Sequence, residues 1–241
     1  MADILLEVCV DSLTGLSAAL RGGADRVELC AALAVGGLTP SAGMMQAAAT
    51  VSIPVYTMIR PRPGDFVFTE DELQAIRTDI DIAREMGMAG VVLGANLPDG
   101  RLDADALERM VSWADGMGKT LHRAFDLVPD NWADAVQLAV SLGFERILTS
   151  GGAASAPEGL ARLAEIFDLA QGRISIMPGA GIDAESVKIL RARLALREVH
   201  GSCSEPVGGH LRDVARLGLA GHLPRMTSAA KVRALKAALA D

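Results

Sequence analysis

Aromatic residues are scarce in this chain: two Trp, one Tyr and five Phe make up only 3% of its 241 residues. A core with so few rings has to be built from Ala, Val, Leu and Ile. Ala-rich helices around Val/Ile/Leu strands suit an α/β protein. Cysteine is sparse as well, and its count of three is odd. That speaks against a disulfide scaffold and for a reduced, cytoplasmic protein. Long apolar runs are missing, with nothing near the roughly 20 residues a membrane span needs. The start, MADILLEV, carries no basic segment ahead of a longer apolar core, so no signal peptide is expected. Positive charge is also in deficit. The formal net charge of −7 disfavours nucleic acid or an anionic membrane as partner, while leaving room for a small basic pocket that holds an anion. No linker or shift in composition marks a boundary, so residues 1–241 read as one domain.

What is present is a repeating pattern: a helical stretch, a Gly, a short β-rich run, then Gly, Pro, Asn or Asp. It appears in LRGGADRVELC, REMGMAGVVLGAN, GMGKTLHRAFD, SLGFERILTSGG and AQGRISIMPGAG. Gly after a helix supplies a left-handed cap, and the apolar run after it starts a buried strand. Adding 3–9, 51–60 and 196–202 gives eight strands, with helices predicted at 11–21, 40–49, 69–86, 103–117, 131–142, 156–170, 183–194 and 227–239. Thr69 with Glu72, Asp103 and Ser228 provide helix-starting caps. Eight strand–helix units of about 30 residues predict a TIM-type (β/α)8 barrel. A doubly wound sheet is the competing architecture, but its G-x-G-x-x-G turn after the first strand is absent. Segment 205–225 is the one long irregular stretch, a candidate flap over the barrel mouth.

Function in such a barrel sits at the C-terminal ends of the strands. A Glu-X-Cys repeat lies there, as Glu7-Val8-Cys9 and Glu28-Leu29-Cys30. Residues i and i+2 share a strand face, so both Glu and both Cys are expected to point into the barrel. The glutamates are either structural partners of Arg60 or Arg123, or an acid–base pair whose pKa values neighbours push apart. Cys9 and Cys30, near the tops of adjacent strands about 4.8 Å apart, suit a soft ion such as Cu(I) or simply fill space. His122 and Asp126 in KTLHRAFD form a candidate proton-transfer cluster or a pin for the strand-five loop, with Arg123 as an anion clamp. His200 is a second base or a core histidine. The turns at Ser150-Gly151 and Gly179-Ala180-Gly181 expose backbone N–H groups of the kind that bind anions, and the second stands where barrels usually hold phosphate.

Taken together, LLEVCVDS, GGADRVELCAALAVGGLTPS, YTMIRPRPGDF, LHRAFD, FERILTSGG and MPGAGI resemble the CutC family over roughly residues 3–203. The resemblance implies a TIM-type barrel in the cytoplasm with a role in copper homeostasis. It also implies Cu(I) binding through Cys9 and Cys30, and no organic cofactor. The polar ring at the strand ends supports an alternative: a lyase, isomerase or aldolase acting on a small anionic or phosphorylated metabolite. In that reading Glu7, Glu28, His122 and Asp126 transfer protons. Arg60, Arg123, Ser150, Gly151, Gly179, Ala180, Gly181 and His200 hold the anion. Self-association into a homo-oligomer is compatible with either reading.

Overall fold

A computed structural model describes residues 4–208, 210–219 and 225–240. Its parallel strands are β1 (Leu5–Val10), β2 (Arg26–Leu29), β3 (Val55–Met58), β4 (Gly90–Leu93), β5 (Gly118–Leu121), β6 (Arg146–Thr149), β7 (Ser175–Pro178) and β8 (Glu198–Gly201). They form one sheet in the order β7-β6-β5-β4-β3-β2-β1-β8. β8 also lies beside β7, so the sheet nearly closes into the expected eight-stranded barrel. The surrounding helices are α1 (Leu13–Gly22), α2 (Ala42–Ala48), α3 (Glu70–Glu85), α4 (Ala104–Trp113), α5 (Trp132–Ser141), α6 (Leu160–Ala170) and α7 (Ser186–Arg191), with α8 (His210–Arg216) and α9 (Ala229–Ala240) after β8.

Local chemistry starts and stops these elements where the sequence indicates. Ser12 caps α1 by accepting from the Gly15 amide, and Gly23 ends it with φ +88°. Thr69 and Glu72 form a reciprocal capping box on α3, and Asp103 accepts from Ala106 N at the start of α4. The strands face two environments. Leu6, Val8, Val10, Val27, Leu29, Ile147 and Ile176 point outward into the apolar layer beneath the helices. The alternate residues point inward, and many of them are charged.

The barrel floor is an ion-pair network in place of a ring-filled core. Arg26 pairs with both Glu7 and Glu198, and Arg146 reaches the Glu198 carboxylate at 3.1 Å and Thr120 Oγ1 at 2.9 Å. The single tyrosine, Tyr56, carries the Arg26 and Arg146 guanidinium groups over its ring at 5.3 and 4.8 Å. Its hydroxyl donates to Glu145 at 2.7 Å. Strands β4 and β5 carry Gly90 and Gly118 at this level because a Cβ on either would overlap the Tyr56 side chain.

Several expectations need correction. The helix predicted at 183–194 starts only at Ser186, because Asp183 first folds a turn of its own. Its carboxylate accepts from Glu185 N at 3.0 Å and Ser186 N at 2.8 Å. Segment 205–225 is not irregular throughout: β9 (Ser204–Pro206) pairs antiparallel with β10 (Arg225–Thr227), and α8 lies between them. Residues 209 and 220–224 of that segment fall outside the described residues.

Candidate functional site

Strand register decides which mouth residues meet. β1 pairs with β2 so that Glu7 stands opposite Arg26, and Cys9 opposite Glu28. The two Glu-X-Cys copies are therefore offset by two residues, and the four side chains do not share one rim. Glu7 lies a level below Glu28. It is opposite His200 on β8, to which it presents Oε1 at 2.8 Å from Nδ1. On the next level up, Cys9 Sγ, a Glu28 carboxylate oxygen and a His200 ring nitrogen all lie within 4.8 Å of one another. Glu28 Oε2 is 3.8 Å from His200 Nε2. All three residues are buried.

The electrostatics follow from this stacking. Burial alone would push the Glu7 carboxyl up, but the Arg26 guanidinium and the His200 hydrogen bond outweigh it and hold the pKa at about 2. Glu28 has no guanidinium of its own. Burial dominates there, helped by the Glu7 charge and opposed by His200, and its pKa is raised. Burial opposes the His200 imidazolium, yet Cys9, Glu28 and Glu7 around it hold its pKa well above the usual histidine value. The expected partners of the two glutamates, Arg60 and Arg123, are not their partners. Arg26, which sequence reading passed over, pairs with Glu7; its position two residues before Glu28 was the available signal.

Cys30 is set apart from Cys9. Its thiol donates to Glu28 Oε2 at 3.4 Å and packs against Gly37. Burial and the Glu28 charge push its pKa well above the normal thiol range, which disfavours the thiolate a metal needs. It belongs to a small apolar cluster with Tyr56, Met58 and Val92. Cys203, by contrast, lines the same cavity as Cys9, and burial pushes its thiol to about 12.

Among the described residues, His122 and Asp126 share no hydrogen bond. Asp126 accepts from Thr149 Oγ1, from the Ser150 amide at 3.2 Å, from the Gly152 amide at 3.0 Å and from Arg123 Nε at 2.7 Å. Arg123 also donates to Ser150 Oγ at 2.8 Å, and the Gly151 amide donates to Thr149 Oγ1 at 2.9 Å. The Ser150-Gly151 turn is thus already filled by the chain's own carboxylate and hydroxyl. Asp126 pins the loops after β5 and β6 together. At the β7 turn, Gly179 N donates to Thr149 O. Ala180 and Gly181 take φ of +69° and +71°, and the amides of Ala180, Gly181 and Ile182 donate to nothing among the described residues.

Above these levels opens a cavity of about 890 Å³. Cys9, Glu28 and His200 lie in its wall, with Arg60, His122, Arg123, Ala180, Gly181, Cys203 and Lys231. Its volume falls in the range of small-molecule sites.

The sequence profile of the CutC family matches residues 4–205. The chain belongs to the CutC family. A Rhizobium meliloti relative, a family protein CutC, is 56% identical over 239 residues, covering 99% of this chain and 97% of its own. A Caulobacter vibrioides relative is 52% identical over 232 residues, covering 95% and 94%. A solved structure from Streptococcus agalactiae, described as a proposed copper homeostasis protein CutC, superposes with a TM-score of 0.79. It is 34% identical and covers 83% of this chain and 98% of its own. An aldolase, QR15, has a TM-score of 0.62 at 13% identity, covering 83% and 89%, and that likeness shows the fold alone. Among the described residues, no helix is long and apolar enough to cross a membrane.

Proposed function

We propose that this family member handles copper through one ion held by Cys9, Glu28 and His200, at the base of the mouth cavity. The observation that carries the reading is the convergence of a thiol, an imidazole and a carboxylate within 4.8 Å. Thiolate and imidazole are donors that copper takes readily, and the carboxylate is the hardest of the three. His200 is arranged as a ligand: Glu7 engages Nδ1, which leaves Nε2 for the ion. A carboxylate behind a ligating histidine fixes its orientation and strengthens it as a donor. Binding would displace the proton that His200 carries on Nε2. Three free, buried cysteines suit work in a reducing cytoplasm.

This assignment keeps Cys9 from the expected Cys9–Cys30 pair and replaces Cys30. Titration with Cu(I) against a chromogenic chelator, under reductant, tests it. Cys9→Ser should weaken binding by more than the roughly 10–100-fold that loss of a supporting group costs. Cys30→Ser should stay within a few-fold of the unmodified protein. Equal losses in the two variants, or no Cu(I) binding by the unmodified protein, would refute the arrangement.

A second reading, a lyase, isomerase or aldolase acting on a small anionic metabolite, is favoured by the cavity itself. A space of about 890 Å³ is far more than one ion requires. The free amides at Ala180–Ile182, with Arg123 and Lys231 in the wall, suit an anionic group.

A further inference from the structure

Two residues that line the cavity, Arg60 and His122, each carry a buried donor with nothing to donate to among the described residues. Arg60 and His122 are 5% and 3% exposed. Arg60 Nε and His122 Nε2 lack a hydrogen-bond partner among the described residues. Buried polar atoms are almost always paired, so such a pair calls for an explanation.

The other side-chain nitrogens of both residues are engaged, and that fixes what the free atoms are. The terminal nitrogens of Arg60 donate to the carbonyls of Val35 at 2.9 Å, Gly37 at 3.2 Å and Gly64 at 2.7 Å. This anchors the guanidinium on the β2 and β3 loops and leaves Nε as its one nitrogen without a partner among the described residues. The Ala124 amide donates to His122 Nδ1 at 3.1 Å. A ring nitrogen that accepts carries no proton, so the neutral ring has its hydrogen on Nε2. Burial and the Arg60 charge hold the His122 pKa at about 3, which favours the neutral ring. Both free atoms are therefore donors, and neither can satisfy the other.

Charge is unbalanced in the same direction. No carboxylate among the described residues pairs with Arg60, whose strongest charged neighbour is another cation, Arg62. A buried cation without a counter-ion is costly unless a ligand supplies the charge. Phe66 lies over both groups, with its ring 4.8 Å from Arg60 Cζ and 4.7 Å from the His122 ring. Gly94 makes room, since a Cβ there would overlap the imidazole.

We propose that Arg60 Nε–H and His122 Nε2–H hold the carboxylate of a small organic acid that enters the mouth cavity. Resting on the second reading above, this names the substrate class: a carboxylic acid small enough to reach both donors beside Phe66. One fixed cation and one neutral donor match a single negative charge shared by two oxygens. A phosphate would instead draw on the open amides at the β7 turn.

The test uses metal-free protein with pyruvate, acetate and inorganic phosphate as probes. Binding is followed by thermal shift and by nitrogen-15 NMR of the histidine rings. Pyruvate or acetate should move the His122 Nε2–H resonance, while phosphate should leave it in place. His122→Phe should weaken carboxylate binding about tenfold or more, the loss expected for one hydrogen bond to a charged oxygen. The NMR measurement on the unmodified protein stands even if that variant fails to fold. Carboxylates that bind without moving His122, or a phosphate that does move it, would overturn the proposal and leave the anionic-metabolite reading intact. If neither carboxylates nor phosphate bind, both fall.

Discussion

Both partners of Glu7 are donors, and a glutamine can accept for only one of them, so Glu7→Gln tests what the pair contributes. Oε2 pairs with Arg26 and Oε1 meets His200 Nδ1 at 2.8 Å. The side chain is 0% exposed, so water cannot replace either partner. A carboxyl whose pKa falls from 4.5 to about 2 on folding contributes roughly 3 kcal/mol of stability at neutral pH. Because the folded pKa is depressed, that contribution is fully present above about pH 4.5 and is lost as pH falls towards 2. Glu7→Gln removes it at all pH values. It leaves Arg26 with Glu198 alone and gives His200 an amide in place of a carboxylate. The expected result in urea denaturation of the metal-free protein is a loss of roughly 3 kcal/mol at pH 7 with the m-value unchanged. The gap to the unmodified protein should shrink steadily between pH 4.5 and pH 2.5, the window in which Glu7 itself takes up a proton. A variant within about 1 kcal/mol of the unmodified protein at pH 7, far below the 3–5 kcal/mol typical of a broken buried pair, would refute the reasoning. So would a variant whose stability keeps the original acid slope.

Two further substitutions probe the frame around the site. Gly118→Ala places a methyl group into Tyr56 and should lower stability by about 1–3 kcal/mol, the usual cost of overpacking, with a matching drop in melting temperature. Asp126→Asn removes the charge that binds Arg123 and the amides of Ser150 and Gly152. It should cost about 1–3 kcal/mol and raise amide hydrogen exchange at residues 150–152, while leaving Cu(I) binding within a few-fold.

The barrel was legible from the sequence because its signals are local. Glycine-ended helices, β-rich runs of four to six residues and the caps at Thr69 and Asp103 each act within a turn of the chain. Element ends were less legible where a side chain intervened, as Asp183 does by delaying α7. The hairpin β9–β10 was missed because its three-residue strands are half polar and lie about twenty residues apart. At the site, Glu7, Cys9, Glu28 and His200 were all picked out by residue type and strand position. Their partnerships were not. Arg26 lies on the same inward face as Glu28, but whether it or Arg60 meets Glu7 depends on how neighbouring strands slide past one another, and no single strand records that.

The slide turns a symmetric repeat into an asymmetric site. With β1 and β2 level, the two copies of Glu-X-Cys would put two thiols side by side and two carboxylates beneath them. With the observed offset, Cys9 sits opposite Glu28 and Glu7 opposite Arg26. The first glutamate becomes a buried, ionised support that orients His200, and the second stays close to the cavity with its pKa raised. One cysteine joins the carboxylate and imidazole, while the other is drawn into an apolar cluster with its proton bound towards Glu28. The two glutamates and two cysteines of the Glu-X-Cys repeat thereby acquire four different roles, because closing a parallel barrel requires a stagger between strands, and that stagger selects one thiol of the two for the mouth.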